Sequence, residues 1–304
     1  MNEIIFFGQN EYPKLIRNEP SAIIKPIQFK FENKNKNENK NENKNENENE
    51  NENKKQIKQI ATENIQKATV GFQNKAILTK EGNVFAKGND INSKQFINIS
   101  SLIEDTNDRV VEDIVSAWSS IYLLTSNQNA YGIGSNYEGR LGFDSETLQK
   151  TEKPILMMKN VSKIFSGNSS NHVFLLNSNQ ELFGCGLNEY GQLGLGESRK
   201  KERKIPKLTQ IQNIPKGKII DIQCGYAHSI MLIENENQNQ NQNPKRKFYS
   251  CGRYYFNGLG KNEDTHEFTE IKSSLFENDD NILDFSELEI QMIDQFQFKL
   301  KFLN

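Results

Sequence analysis

The residues of this chain that could carry chemistry are a glycine-rich stretch, three histidines and three cysteines. The stretch GLNEYGQLGLGES, residues 186–198, has the glycine density of a phosphate-binding loop. Such a loop ends in Lys-Ser/Thr or opens directly into a helix, whereas here a basic run leads into Pro206. The phosphate interpretation is therefore rejected, and the glycines are interpreted as turns that need a positive φ or a close backbone approach.

The histidines do not suggest a catalytic group. His172 and His228 fall at the same position of a repeat, where other copies have Asn74 and Ser120, and His266 lies in the polar segment KNEDTHEF. A position that accepts His, Asn and Ser indicates a hydrogen-bonding role rather than a general base. The segment GNSSNH places its serines and histidine too close along one strand to form a nucleophile, a base and an orienting group. No catalytic residue, metal site or cofactor is predicted.

The three cysteines are predicted to be buried thiols in a reducing compartment. Cys185 and Cys251 each precede a turn glycine, and Cys224 precedes Gly225. The chain has no apolar run of about twenty residues and no charged N-terminal region followed by an apolar core. We therefore expect a cytoplasmic or nuclear protein that is neither secreted nor inserted in a membrane.

The glycine turn recurs along the chain. GSNYEGRLGF begins at Gly134 and GRYYFNGLGK at Gly252, with weaker copies at Gly8 and Gly88. Upstream of these turns, LTKEGNVFAKG, LTSNQNAYGIG and LNSNQELFGCG each show an apolar run, a polar turn and a strand that ends in glycine, as in a β-hairpin. The glycines that define the turns are Gly134, Gly139, Gly142, Gly186, Gly191, Gly194, Gly252 and Gly260.

The repeat predicts an all-β protein of about five units, each with about four short strands. The steps from Gly88 to Gly134 and from Gly134 to Gly186 are 46 and 52 residues. A period of this length indicates small sheets stacked around an axis, as in a β-propeller. The whole chain, residues 1–304, is predicted to form this single domain. Its C-terminal segments FSELEIQMI and FQFKLKF alternate with period two, and we expect these strands to close the ring against the strand at residues 4–6. The alternatives are additional diverged blades, an open arc of units or a gene fragment.

Two tracts are predicted to be disordered inserts. Residues 32–55 alternate Asn with Lys or Glu, and residues 234–247 are rich in Asn and Gln at the tip of a predicted hairpin. Segments without apolar side chains cannot bury enough surface to offset the entropy of ordering.

The turns resemble the repeats of the regulator of chromosome condensation family. That family's pattern is Gly-x-x-His, then Leu, then Gly-x-Asn-x-x-Gly-Gln-Leu-Gly-x-Gly, and HVFLLNSNQELFGCGLNEYGQLGLGES follows it best. The resemblance implies a β-propeller, normally of seven blades. It also implies two functions, namely a protein-binding scaffold and guanine-nucleotide exchange on a small Ran-like GTPase. A third activity in the family, ultraviolet sensing by clustered tryptophans, is disfavoured because Trp118 is the single tryptophan.

The formal net charge of −2 and the pI near 6.1 argue against nucleic acid or chromatin as the main partner. The basic segment SRKKERKIPK is interpreted as a solvated loop, with a phosphate or acidic-partner contact or a nuclear-import signal as alternatives.

We expect a protein-protein interaction module, with nucleotide exchange as the alternative. The predicted binding rim contains aromatic and arginine residues of the turns, because such residues suit protein partners. These residues are Tyr137, Arg140, Arg253, Tyr254, Tyr255 and Phe256. The opposing interpretation is packing against the turn of the neighbouring unit, which is favoured for Tyr12 and Tyr190.

Overall fold

A computed structural model describes residues 65–235, 245–254, 259 and 262–272, and the strand segments 5–6, 27–28, 288–292 and 298–302. The chain is all-β in these parts, apart from short 3-10 turns. No helix in them is long and apolar enough to cross a membrane.

The strands are short, and most have five to nine residues. In chain order they are β1 (Ile5–Phe6), β2 (Ile27–Gln28), β3 (Ile65–Val70), β4 (Asn74–Thr79), β5 (Val84–Gly88), β6 (Ser93–Asn98), β7 (Val111–Ser116), β8 (Ser120–Thr125), β9 (Ala130–Ser135), β10 (Lys150–Met158), β11 (Val161–Phe165), β12 (His172–Asn177), β13 (Leu182–Leu187), β14 (Lys204–Gln210), β15 (Lys218–Cys224), β16 (His228–Asn235), β17 (Lys245–Gly252), β18 (Thr265–Glu270), β19 (Leu288–Met292) and β20 (Phe298–Phe302).

Four antiparallel sheets of four consecutive strands follow one another along the chain: sheet 1 (β3–β6), sheet 2 (β7–β10), sheet 3 (β11–β14) and sheet 4 (β15–β18). The repeat is also visible in the strand register. The first residue of each second strand lies opposite the first glycine of the turn that follows: Asn74↔Gly88, Ser120↔Gly134, His172↔Gly186 and His228↔Gly252. The four polar residues thus occupy equivalent positions, as the sequence predicted.

Apolar clusters between consecutive sheets form the core. Adjacent residues of one strand enter different clusters, because successive side chains of a strand point to opposite faces. This explains why the second strands read as unbroken apolar runs, since both of their faces are buried. Fully buried members are Leu78 and Ile121 between sheets 1 and 2, Tyr122 and Leu175 between sheets 2 and 3, and Phe174 and Met231 between sheets 3 and 4.

The first strands of the four sheets surround an axial cavity of about 400 Å³. Each has a register shift near its start, followed by a charged residue opposite a leucine of the second strand. These charged residues alternate in sign along the chain and line the cavity: Lys67, Asp113, Lys163 and Asp221. The Nζ atom of Lys67 lies 2.6 Å from Asp113 Oδ1, and Lys163 Nζ donates to the carbonyl of Ile220 at 3.0 Å. Polar contacts between neighbouring sheets therefore complement the apolar ones.

The two predicted C-terminal strands are confirmed as β19 and β20. They pair with each other, and β1 pairs with β2, in two separate two-stranded sheets. The backbone of β19 lies beside β15, in the place that the first strand of a fifth unit would take. The pairing of the C-terminal strands with residues 4–6, which would close the ring, stays a prediction.

The insert predicted at residues 234–247 lies at the tip of a hairpin, but its predicted bounds were too wide. Residues 234–235 and 245–247 belong to β16 and β17, which pair as far as Asn235↔Lys245. Residues 236–244, and the tract 32–55, lie outside the described residues. Their disorder stays a prediction.

Candidate partner-binding face

Two sets of loops leave the sheets at the same end. Axial loops join the first and second strands of each sheet, and glycine turns join the third and fourth strands. Since each sheet is an antiparallel meander, both sets emerge on one face, which we call the turn face. They are in direct contact there: Arg140 Nη1 lies 3.3 Å from Ser119 Oγ, and the backbone N–H of Arg253 donates to the carbonyl of Ala227 at 2.8 Å.

Three axial loops bring aromatic side chains together. The rings of Phe72 and Trp118 are stacked with centroids 4.2 Å apart and planes 25° apart. The ring of Tyr226 lies 6.2 Å from that of Trp118 and is tilted by 55°. All three residues are half-buried. We call Phe72, Trp118 and Tyr226 the axial aromatic cluster.

The axial loop of sheet 3 is longer than the others and crosses toward sheets 1 and 2. The carbonyl of Asn168 accepts the N–H of Phe72 at 3.1 Å, and the carbonyl of Ser170 accepts the N–H of Trp118 at 3.1 Å. The N–H of Gln73 donates to the carbonyl of Trp118 at 2.8 Å. Backbone bonds between sheets thus hold the loops of Phe72 and Trp118 in place.

The asparagine of each well-formed glycine turn organises its loop. Asn136 donates from Nδ2 to the carbonyls of Phe143 and Leu148, and its Oδ1 accepts the N–H of Leu141 at 2.8 Å. Asn188 repeats this pattern with Glu202 and Leu193. A single amide side chain therefore satisfies backbone groups that the sharp turn leaves unpaired, which explains the Asn of the repeat pattern.

The glycine turns of sheets 2 and 3 also pack against the outer strand of the next sheet. A Cβ on Gly191 would lie 2.7 Å from His266 Cα, and a Cβ on Gly194 would lie 2.6 Å from the ring of Phe268. Both residues also have positive φ, +80° and +63°. Of the other glycines that the sequence analysis named as defining the turns, those within the described residues all have positive φ: Gly134, Gly139, Gly142, Gly186 and Gly252. Gly260 lies outside those residues.

The predicted rim residues are placed in different environments. Tyr137 is 69% exposed at a turn tip, whereas Arg140 is only 2% exposed and donates from Nε to the carbonyl of Tyr137. The sequence suggested an accessible arginine at 140, but the guanidinium is used to hold its own turn. Tyr254 is half-buried, and its N–H donates to Asp264 Oδ1 at 3.0 Å. Tyr255 and Phe256 lie outside the described residues.

Arg253 packs across two neighbouring turns. Its guanidinium carbon lies 4.7 Å from the centre of the Tyr190 ring, a cation–π contact between the turns of sheets 3 and 4. This supports the packing interpretation that the sequence favoured for Tyr190.

The basic segment on the turn of sheet 3 is largely paired with its own surroundings. Arg199 contacts Glu202 at 2.6 Å, Lys200 contacts Glu197 at 3.1 Å, and Arg203 contacts Glu189 at 2.7 Å. Such exposed ion pairs contribute little to stability. They do reduce the net positive charge that this loop presents to a partner, in line with its interpretation as a solvated loop.

His172 is buried within the turn face and does not act as a free base. Its Nδ1 lies 3.0 Å from Ser170 Oγ and its Nε2 lies 2.7 Å from Ser229 Oγ of sheet 4. Burial, together with the nearby His228, lowers the pKa of His172 to about 3. The neutral imidazole therefore links sheets 3 and 4. In sheet 1 the same link is made by Asn74, whose Nδ2 donates to the carbonyls of Ala117 and Ser120 in sheet 2.

Acid is expected to destabilise the protein through His172. The pKa of histidine is about 6.5 in an unfolded chain, so the unfolded state binds a proton that the native state does not. The stabilisation is complete above about pH 6.5 and is lost as the pH falls toward about 3. Urea unfolding at several pH values between about 7 and 5 should show a shallower decline for His172→Asn than for the unmodified chain. Identical pH profiles would contradict this role.

The remaining candidates for chemistry have structural roles. Cys185, Cys224 and Cys251 are free and buried, and burial raises the pKa of each thiol, which disfavours the reactive thiolate. In the described part of the chain, no group of His, Cys, Asp and Glu side chains could hold a metal ion.

A second cavity, of about 560 Å³, lies between β10 and the segment that connects sheets 1 and 2. Burial raises the pKa of Asp108 beside it, but hydrogen bonds from Tyr131, Asn127 and Asn129 outweigh this effect and lower the pKa below its usual value. The carboxylate thus binds its own loop to the hairpin of β8 and β9.

Sequence reasoning missed the axial aromatic cluster, although the repeat contained its signal. Phe72, Trp118 and Tyr226 each stand two residues before the polar residue that begins a second strand, namely Asn74, Ser120 and His228. Aligning the copies on that position would have shown an aromatic residue in three of the four sheets.

Comparison with known proteins agrees with the repeat architecture. A family model described as the regulator of chromosome condensation (RCC1) repeat matches residues 179–232. The chain is 24% identical over 197 residues to the serine/threonine-protein kinase Nek9 of Xenopus laevis, an alignment that covers 59% of this chain and 21% of that protein. It is 30% identical over 145 residues to Nek9 of Mus musculus, which covers 46% of this chain and 13% of that protein. The chain therefore spans only a small part of these kinases.

Solved structures show the same fold. Yeast RCC1 (Prp20) bound to Kap60 superimposes with a TM-score of 0.56 at 23% identity, covering 78% of this chain and 53% of that one. Prp20p from Saccharomyces cerevisiae gives a TM-score of 0.54 at 23% identity, covering 75% and 53%. Repeat pattern, relatives and sheet architecture thus agree: this chain is a protein with regulator of chromosome condensation (RCC1) repeats, and its sheets have the fold of the solved RCC1 structures.

Proposed function

We propose that this chain is a protein-protein interaction module whose partner binds the turn face. The observation that carries the proposal is the axial aromatic cluster, which presents three half-buried rings at the centre of that face. Partly exposed aromatic side chains surrounded by polar and charged loops are typical of binding hot spots. The exposed ring of Tyr137 adds a second aromatic contact at the edge of the face.

A binding role is also supported by the environment of the groups that could otherwise react. The His172 imidazole and the Asp108 carboxylate are engaged in contacts that hold loops or sheets, and the three thiols are buried. We further propose a cytoplasmic or nuclear location, in keeping with free cysteines.

The test is quantitative co-purification with the full chain as bait. We expect enriched partners to be reduced at least about fivefold by Tyr137→Ala or Tyr226→Ala on the turn face. Asn179→Ala, an exposed change on a hairpin at the opposite face, is the matched control and should have no effect. Equal recovery on all three variants would contradict the proposed face.

Guanine-nucleotide exchange on a Ran-like GTPase is the alternative function. It is supported by the similarity to Prp20p, whose structure is reported with its binding properties to Gsp1p and histones. Exchange displaces nucleotide without side-chain chemistry, so the engaged histidines and cysteines are compatible with it. The release of labelled GDP from a panel of purified small GTPases decides between the two functions. A release rate well above the spontaneous rate would favour exchange. An unchanged release rate would favour the interaction module.

A further inference from the structure

We propose that the cavity of about 560 Å³ beside β10 binds a lysine or arginine side chain of a short, extended basic segment in a partner protein. We call it the β10 cavity. It lies between β10 and residues 104–108, which lead from sheet 1 to sheet 2. Those residues are bound to the β8–β9 hairpin, at the end of sheet 2 opposite the turn face. The β10 cavity is therefore a second site, separate from the turn face of the proposed function.

The lining of the β10 cavity carries more negative than positive charge. Within the described residues, Glu104 and Asp105 form no ion pair, and Glu152 Oε1 lies 3.7 Å from Lys150 Nζ. Those three carboxylates are exposed and can reach a partner. A cationic side chain complements this lining, whereas an anionic one would be repelled. Four carboxylates line the cavity against two exposed lysines: Glu104, Asp105, Asp108 and Glu152, with Lys153 and Lys159.

The carboxylate of Asp108 is a buried charge in this lining. Asp108 is 3% exposed, and its oxygens accept hydrogen bonds from the neutral side chains of Asn127, Asn129 and Tyr131. Burial raises its pKa, but those bonds and the charge of Lys159 lower the pKa below its usual value, so the group is ionised at neutral pH. In the described part of the chain it forms no ion pair. A buried charge is costly without a counter-charge, and a cation that enters the cavity supplies one.

The rest of the lining is apolar. Tyr131 of β9 and Pro154, Ile155 and Leu156 of β10 contribute to it, and Leu156 is 37% exposed. A lysine or arginine side chain carries its charge on a hydrocarbon stem, which packs along apolar surface while the head stays among polar groups. The cavity volume lies within the range of about 300–1,000 Å³ that is typical of ligand sites. Carboxylates beside an apolar wall therefore suit both parts of a basic side chain.

The position of β10 favours a peptide over a free amine. β10 is the outermost strand of sheet 2 and pairs only with β9. The main-chain groups of an edge strand can bind an extended segment of another protein. Pro154 has no N–H to donate, and the register with β9 shifts between Thr151 and Ile155, so a long, regular added strand is disfavoured. A short segment anchored by one side chain fits this edge.

The loop opposite β10 is ordered before any partner binds. Asp105 Oδ1 accepts the N–H of Asn107 at 3.0 Å, and Arg109 Nε donates to the carbonyl of Ile103 at 3.0 Å. The side chain of Ile103 is fully buried and joins the core between sheets 1 and 2. A site that is already ordered loses little conformational entropy on binding.

Fluorescence anisotropy of labelled peptides with the full chain tests the site. Three peptides with blocked ends differ only at a central position, which holds arginine, citrulline or glutamate. Citrulline has the shape of arginine without its charge. We expect saturable binding of the arginine peptide and at least about tenfold weaker binding of the other two. No saturable binding of the arginine peptide, or equal affinity for the citrulline peptide, would overturn the proposal.

Glutamine variants place the peptide in the cavity. Glu104→Gln and Glu152→Gln each remove one exposed carboxylate and keep the side-chain size, so thermal unfolding should be unchanged. We expect each to weaken the arginine peptide at least about threefold, and the double variant about tenfold. Glu146→Gln is the matched control, because Glu146 is exposed in the loop between β9 and β10 and outside the cavity lining. Unchanged affinity in the double variant, or an equal loss in Glu146→Gln, would overturn the proposal.

Two further measurements test the apolar wall and the kind of ligand. Leu156→Ser keeps every charge and should weaken the arginine peptide at least about threefold, because it removes an apolar contact for the stem. Unchanged affinity would contradict the proposed seat of the side chain. Spermidine should displace the labelled peptide much less than unlabelled peptide does at the same concentration. Equal displacement would assign the cavity to a free polyamine and overturn the proposal.

Discussion

Deleting residues 285–304 is expected to give protein that is insoluble or rapidly cleaved by proteases. The deletion removes β19, which lies beside β15, together with its partner β20. In β16, Met231 and Ile233 pack toward sheet 3, so the alternating residues Ile230 and Leu232 face the other way. Both are nonetheless buried, 0% and 3% exposed, and we expect the C-terminal strands to cover them.

The expected loss is comparable to the stability margin of a typical domain. Exposing a buried aliphatic or aromatic side chain costs roughly 1.5–3 kcal/mol, and Phe248 of β17 is fully buried as well. Three such side chains therefore approach the whole free energy of unfolding of a normal domain, about 5–15 kcal/mol. The uncovered apolar surface would also promote aggregation.

Deleting residues 33–54 is the matched control. It removes a similar length of chain that contains no apolar side chain, and solubility and melting temperature should hardly change. The two deletions are compared by soluble yield, limited proteolysis and thermal unfolding. A C-terminally truncated protein that is soluble, monomeric and as stable as the full chain would show that these strands do not cover sheet 4.

Gly191→Val is expected to lower the free energy of unfolding by at least about 2 kcal/mol. Two effects add at this position. A β-branched residue at φ +80° costs of the order of 1–3 kcal/mol, and its Cβ would meet the backbone of His266 at 2.7 Å. Because that backbone belongs to β18 of the next sheet, relief of the clash requires the two sheets to separate. Gly194→Val should have a comparable effect through Phe268.

Gly196→Val separates the two causes. Gly196 also has positive φ, +90°, but a Cβ there would meet only the side-chain nitrogen of Asn213, at 3.8 Å. The free energy of unfolding of this variant should therefore fall only by the cost of the backbone strain. In urea unfolding it should be clearly less destabilised than Gly191→Val. Equal losses at residues 191 and 196 would show that inter-sheet packing adds nothing at Gly191.

The repeat architecture could be predicted from the sequence because its signals are local. Alternation of apolar and polar residues, hairpin turns and the glycine pattern each span only a few residues, and their recurrence at similar spacing leaves few arrangements besides stacked small sheets. The equivalence of Asn74, Ser120, His172 and His228 followed from counting along the chain. So did the place of the insert between β16 and β17.

The candidate site is formed by contacts between repeat units, and local sequence patterns do not encode such contacts. Arg140 looked like a surface residue, but its environment depends on the loop that carries Ser119 and on the fold of its own turn. Phe72, Trp118 and Tyr226 are far apart in the sequence and become neighbours only because the first strands surround one axis. The chain by itself determined which strands and turns form, since those depend on near neighbours; only the tertiary structure decided which side chains meet on the turn face, because that depends on how whole sheets pack.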